Sequence, residues 1–210
     1  MKKVTIIDYG CGNILNLIRA IEFLGHKAET TNKREKIVSS SHVILPGVGA
    51  FGNAAKQLEK YDLHKSILDY AKSNNPLLGI CLGMQLLFTE SYEFGFHKGL
   101  GLIEGQVIKI SNNNKDIKVP HMGWNEIYPN NNEKEWKNKI LKNTLIGKNF
   151  YFVHSFKGLT KNPNSTIAVC DYSTISIPAV VSINNIFGCQ FHPEKSGQNG
   201  IEILKNFCEI

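Results

Sequence analysis

The stretch Pro76-Leu77-Leu78-Gly79-Ile80-Cys81-Leu82-Gly83-Met84-Gln85 decides how the rest of the chain is read. Leu77, Leu78 and Ile80 form a short apolar run suited to a strand buried on both faces, and Leu82, Met84, Leu86, Leu87 and Phe88 continue it at helical density. Cys81 is thereby predicted at a strand-to-helix corner. Gly79 and Gly83 stand two residues before and after it, the spacing of a nucleophile elbow with cysteine in the serine position. Small neighbours let such a turn be tight. The helix that opens there offers unpaired N–H groups and a partial positive charge to an anionic sulfur. A buried core cysteine is the plain alternative, and the paired glycines favour a nucleophile over it.

Working outward, Val4 to Asp8 reads as a strand, Gly10-Cys11-Gly12 as a turn, and Asn13 to Leu24 as a helix with Ile14, Leu17, Ile18, Ile21 and Leu24 on one face. The turn lacks the third glycine of a dinucleotide fingerprint, so no cofactor is implied. Further strands are predicted at Ala28 to Thr31 and Val43 to Leu45, the latter running into a glycine loop at Pro46 to Phe51. One helical stretch containing Leu58, Leu63, Ile67, Leu68 and Ala71 then returns to the elbow strand. Strands alternating with helices imply a mostly parallel, doubly wound α/β sheet with its site beyond the carboxyl ends of the strands. Downstream, strands are predicted at Gly105 to Ile110, Gly123 to Tyr128, Asn149 to Val153, Ser165 to Cys170, Ala179 to Ile183 and Ile186 to Phe191. Asn112 to Asp116 and Asn130 to Lys139 read as solvated loops, and Gly200 to Cys208 as a closing helix.

Composition narrows the function classes. The 210 residues, 42% hydrophobic and 20% charged, suit a single domain over residues 1–210. Five cysteines without a C-x-x-C pair or metal spacing point to a reducing, cytoplasmic setting, with neither a disulfide frame nor a metal site. Nowhere is an apolar run long enough to span a membrane. The net charge of +6 comes from scattered lysines, which argues against a nucleic-acid partner. A thiolate nucleophile needs an imidazole to move its proton and a carboxylate to orient that imidazole. His192 and Glu194, two apart on a segment predicted as extended, point the same way and supply both. Alone, this pair is an ordinary surface histidine beside a solvated glutamate; the elbow gives it a purpose.

Gly79-Ile80-Cys81-Leu82-Gly83-Met84-Gln85 with Phe191-His192-Pro193-Glu194 resembles the class I (triad) glutamine amidotransferases. Pro46 to Phe51, Pro120-His121-Met122-Gly123-Trp124-Asn125, Tyr151 to Ser155 and His192 to Ser196 are similar to the glutaminase subunits of imidazole glycerol phosphate synthases, a likeness spanning residues 4 to about 207. The resemblance implies an open mixed, mostly parallel sheet flanked by helices, with Cys81 as nucleophile, His192 as proton shuttle and Glu194 as its orienter. Backbone N–H groups of Leu82 and of the Val48-Gly49 loop would hold the oxyanion. Gln85, Glu93 and Ser155 would bind the amino-acid end of glutamine. Asn13, Asn16, Met122, Trp124, Tyr151 and Lys195 would face a (β/α)8 cyclase subunit that receives the ammonia for histidine biosynthesis. A paralogous glutaminase with a barrel partner in another route, such as surface-sugar biosynthesis, shares all these expectations. Where the family usually has an aromatic hydroxyl after His-Ser, this chain has Phe156.

Overall fold

Continuous apolar runs of the kind found at Val4 to Ile7 and Val43 to Leu45 make strands that must be covered on both faces. The computed structural model describes residues 1–111, 117–130, 133–136 and 138–210. The predicted loop Asn112–Asp116 lies outside the described residues, as do positions 131, 132 and 137 of the loop predicted over 130–139. Strand β1 (Lys3–Ile7) leads to helix α1 (Ile14–Phe23), β2 (Lys27–Thr31), a short α2 (Arg34–Val38) and β3 (His42–Leu45). Helices α3 (Phe51–Lys60) and α4 (Leu63–Lys72) then return to β4 (Leu77–Ile80), from which α5 (Leu82–Leu86) departs. Strands β5 (Phe88–Ser91), β6 (His97–Lys98), β7 (Ile103–Lys109), β8 (His121–Glu126) and β9 (Tyr128–Pro129) follow. The chain ends with β10 (Asn149–His154), β11 (Phe156–Thr160), β12 (Thr166–Tyr172), β13 (Ile175–Ile183), β14 (Ile186–Cys189) and α6 (Gly197–Glu209).

The main sheet has the order β2-β1-β3-β4-β14-β13-β12-β9. Its first five strands pair in parallel and the last three antiparallel, so the sheet is mixed and mostly parallel, as expected. Side chains alternate across it. Val4 and Ile6 join Leu17 and Ile21 of α1 and Leu204 and Phe207 of α6 in one core, whereas Ile7, Val43 and Leu45 join Leu58 of α3 and Ile67 and Tyr70 of α4 in the other. Each such fully buried side chain contributes about 1.5–3 kcal/mol relative to exposure. Two smaller sheets, β11-β7-β5-β6 and β10-β8, stand beside the main one.

Four local expectations are corrected. The run from Leu82 to Phe88 is not one helix: α5 stops at Leu86 and Phe88 opens a strand, because a segment buried on every side has no polar face to betray its period. The helical stretch from Leu58 to Ala71 is two helices, broken where Asp62 takes a left-handed φ of 53°. The segment 130–139 is not wholly solvated, since Trp136 packs against the core beside the buried Ile140 and Leu141. His192 and Glu194 do not share an extended segment, for Pro193–Lys195 is a turn of 3-10 helix. The predicted strands that end at Ile183 and begin at Ile186 form a hairpin, with Ile183 paired to Ile186 and Asn184 at φ 54° in the turn.

Candidate active site

The carboxyl ends of β1, β3, β4 and β14 meet at Cys81. Its φ of 53° and ψ of −109° are unusual for an L-residue and are imposed from both sides of the corner. The Cys81 N–H donates to Cys189 O at 2.7 Å, tying the turn to β14. A Cβ at Gly83 would lie 1.8 Å from Leu45 O, and one at Gly79 would lie 2.7 Å from Gly83 O, so α5 can start this close to β3 and β4 only over bare backbone. The neighbouring loop is tethered as well: the Tyr9 hydroxyl donates to Pro46 O at 2.7 Å, and Gly49 takes a φ of 99°.

His192 arrives from the strand beside the elbow. Its backbone N–H donates to Tyr151 O, and the Ser196 hydroxyl, which donates to His192 O and accepts from Tyr151 N–H, fastens the following turn to β10. That turn brings Glu194 Oε1 to 2.8 Å from His192 Nδ1, with both side chains buried. The other ring nitrogen, Nε2, has no conventional partner among the described residues, and Cys81 is the group beside it. Burial opposes a charge on this imidazole, but hydrogen bonding to Cys81 and Glu194 and the negative charges of both overcome it, raising the His192 pKa to about 10. A thiol, an imidazole and a carboxylate are therefore in contact order.

A cleft of about 360 Å³ opens over this group. It brings together Cys81, His192, Val48, Gly49 and Leu82, and also Gln85 from the same helix as Leu82 and Glu93 and Ser155 from two other segments. Glu194 stands behind His192, out of the cleft. Gln85 is not solvated: it is buried, and its Nε2 donates to Phe156 O at 2.9 Å and to Gln190 Oε1 at 3.0 Å. Glu93 is buried too, with Oε2 accepting the Phe51 N–H, and burial raises its carboxyl pKa although that bond works the other way. His154, at the cleft wall, donates through Nδ1 to Phe156 O; burial, opposed by that bond, pushes its pKa down to about 3, so it is a neutral neighbour. Phe156 lies buried under the exposed Phe94, with ring centroids 5.9 Å apart. Two polar groups, His154 on this wall and Gln190 fully buried against Gln85, were not singled out in the sequence. For Gln190 a signal existed, because it precedes His192 by two residues and so shares its side of the strand.

The residues expected to face a partner form a surface. On the β8–β10 pair, Trp124 is opposite Tyr151 and Met122 opposite Val153. Met122 and Trp124 are more than half exposed, Trp124 meets Tyr151 edge-on, and the Lys195 ammonium sits 5.9 Å over the Tyr151 ring. Asn13 and Asn16, both half-buried, lie at the start of α1, which packs against the Pro193–Lys195 turn. Among the described residues no group of three or more His, Cys, Asp or Glu could hold a metal ion, and no helix is long and apolar enough to cross a membrane.

A cysteine on a strand-to-helix elbow, beside a buried His-Glu pair in the turn that follows the adjacent strand, has the arrangement of a triad hydrolase of the α/β type. The family model for class-I glutamine amidotransferase matches residues 5–210, and the chain belongs to that family. Its relatives include the imidazole glycerol phosphate synthase subunit HisH 1 of Legionella pneumophila strain Lens, 41% identical over 213 residues with all of both chains covered. HisH of Lactococcus lactis is 43% identical over 219 residues, covering 100% of this chain and 99% of the relative. Among solved structures, PurLQS from Thermotoga maritima (TM-score 0.70, 19% identity, 100% of this chain and 99% of that one) shares the fold.

Proposed function

We propose that this chain is the glutaminase subunit of an imidazole glycerol phosphate synthase, a single domain over residues 1–210 that hydrolyses glutamine and passes ammonia to a (β/α)8 cyclase subunit for histidine biosynthesis in the cytoplasm. The observation that carries the reading is full-length identity above 40% to HisH subunits in a chain whose Cys81, His192 and Glu194 are assembled at one cleft. Cys81 sulfur attacks the side-chain amide carbon of glutamine, and the oxygen that becomes anionic is met by backbone N–H groups of Leu82 and the Val48-Gly49 loop. His192 gives its proton to the departing nitrogen, so that ammonia leaves and a thioester remains. His192 then takes a proton from water, whose oxygen attacks the thioester; the carbon–sulfur bond breaks, and glutamate and the free cysteine are restored.

The amino-acid end of glutamine is held by the far wall. Glu93 offers the α-ammonium the oxygen that does not hold Phe51 N–H, and Ser155 faces the carboxylate. Gln85 has both amide hydrogens committed to Phe156 O and Gln190, which leaves its oxygen for substrate. No phenol is present at Phe156; its carbonyl is the group in use. The numbered names HisH 1 and HisH 2 among the relatives favour keeping a second reading, in which a paralogous copy supplies another acceptor. Co-purification with its (β/α)8 partner, followed by assay of glutamate and of imidazole glycerol phosphate together, separates the two. Both products are expected; glutamate with no imidazole product assigns the chain to the second route, and no glutamate removes both.

A further inference from the structure

Gln190 is fully buried immediately after β14, two residues before His192, and its Nε2 lies 3.8 Å from the Cys81 sulfur. The two ends of a carboxamide are told apart only by the hydrogen bonds they make. Here a chain of three bonds fixes the answer. Phe156 O is a backbone carbonyl and can only accept, so the Gln85 end facing it at 2.9 Å is the NH2 group. The second hydrogen of that NH2 group goes to Gln190 at 3.0 Å, so the Gln190 end receiving it is the oxygen. The end left to face Cys81 is therefore an N–H donor. Inverting either amide would set two oxygens, or two NH2 groups, against each other in a buried place, which costs more than the bond is worth.

We infer that Gln190 is a further catalytic residue, an uncharged N–H donor to the Cys81 sulfur, and that Gln85 is the positioning residue that keeps that donor turned toward it. This rests on Cys81 being the nucleophile. The sulfur is anionic twice in each turnover, before it attacks the amide carbon and again as it leaves the thioester carbon, and a donor that carries no exchangeable charge serves both moments without competing with His192 for the proton. The arrangement also links the substrate wall to the nucleophile: the side chain of Gln85 that lines the cleft is the one that orients Gln190.

The test uses the chain in complex with its barrel partner and measures two things: alkylation of Cys81 by iodoacetamide at neutral pH, followed peptide by peptide by mass spectrometry, and steady-state glutamate release. Gln190→Met, which keeps the length and loses the donor, is expected to slow alkylation about tenfold and to lower kcat similarly, with KM for glutamine changed less than about twofold. Gln190→Glu, of the same shape but with an oxygen facing the sulfur, is expected to lose at least as much. Gln85→Leu is expected to slow alkylation too, and the Gln85→Leu/Gln190→Met pair to be no slower than Gln190→Met alone, since Gln85 reaches the sulfur through Gln190. Wild-type alkylation rates in variants with unchanged thermal unfolding overturn the donor role, and losses that multiply in the double variant overturn the relay. If Gln190→Met does not fold, Gln190→Glu decides. Loss of glutamate release in the wild type with the alkylation pattern intact would strike the proposed function and leave this inference standing.

Discussion

Cys81 holds backbone angles that a free chain avoids, and the only groups that profit are those arranged around its sulfur. If the sulfur is the nucleophile, Cys81→Ala and Cys81→Ser will abolish glutamate release while unfolding at the wild-type temperature. An electrophilic glutamine analogue will label Cys81 ahead of Cys11, the half-exposed cysteine of the first turn; labelling at Cys11 with activity surviving in Cys81→Ala would overturn the assignment. His192→Ala is expected to be nearly as damaging, because nucleophile and base act as one unit. Glu194→Ala removes only the group that orients the ring and is expected to leave measurable turnover, so equal losses in the two variants would argue against the roles given. At this scale the sequence was most informative where a residue's setting is rare: a cysteine between two glycines announces itself, and only then does a histidine two before a glutamate acquire a meaning. Gln190 did not, because a glutamine has no spacing rule of its own and its task depends on which amide end faces Phe156 O, a contact between residues far apart in sequence.

Among the elements, the glycine loop at Pro46 to Gly49 is the one whose conformation bears directly on rate. It lies beside the elbow and lines the cleft through Val48 and Gly49, and Gly49 takes a φ of 99° that residues with side chains rarely adopt. Hydrolysis without an acceptor would waste glutamine, and a loop N–H is easier to turn in and out of the oxyanion position than a buried triad is to dismantle. The isolated chain is therefore expected to be a weak glutaminase, stimulated at least about 100-fold by a ligand-loaded barrel partner, the worth of one oxyanion donor. Equal turnover of the free chain and the loaded complex would sink the idea. The parallel half of the sheet was legible because β1 and β3 are bounded by turns and lead to amphipathic helices, and β4 ends at a glycine-flanked corner. The antiparallel additions were less so: β11 follows β10 after Ser155 alone, with no glycine or proline to mark the change, and β5 continues an apolar run already read as helix.

For the molecule as a whole, buried histidines make stability vary with acidity, those of lowered pKa on the acid side and His192 on the alkaline side. Burial pushes His42 down to about 4 and His154 down to about 3, so the folded chain refuses protons that the unfolded chain takes up below about 6.5; their contribution is complete above 6.5 and is lost as pH falls through the folded values. His192 is raised to about 10, so its contribution is complete below 6.5 and is lost as pH rises toward 10. Urea unfolding across this range is expected to show a maximum near neutrality, with a shallower acid limb in His42→Gln; a flat profile would refute the reading. On the outer face, Trp124→Ala is expected to weaken the barrel partner's binding by about 2 kcal/mol or more with no change in unfolding, measured by calorimetry. The order of the strands in the sheet has one more effect. Cys81 and Gln190 are 109 residues apart in sequence yet meet because β14 seats directly beside β4, and His192 comes two residues later still. A ribosome therefore makes the Cys81 thiol long before it makes Gln190 and His192. The three groups can meet only after β14 has been synthesised and has closed beside β4, so the site is the last thing the parallel half of the sheet assembles.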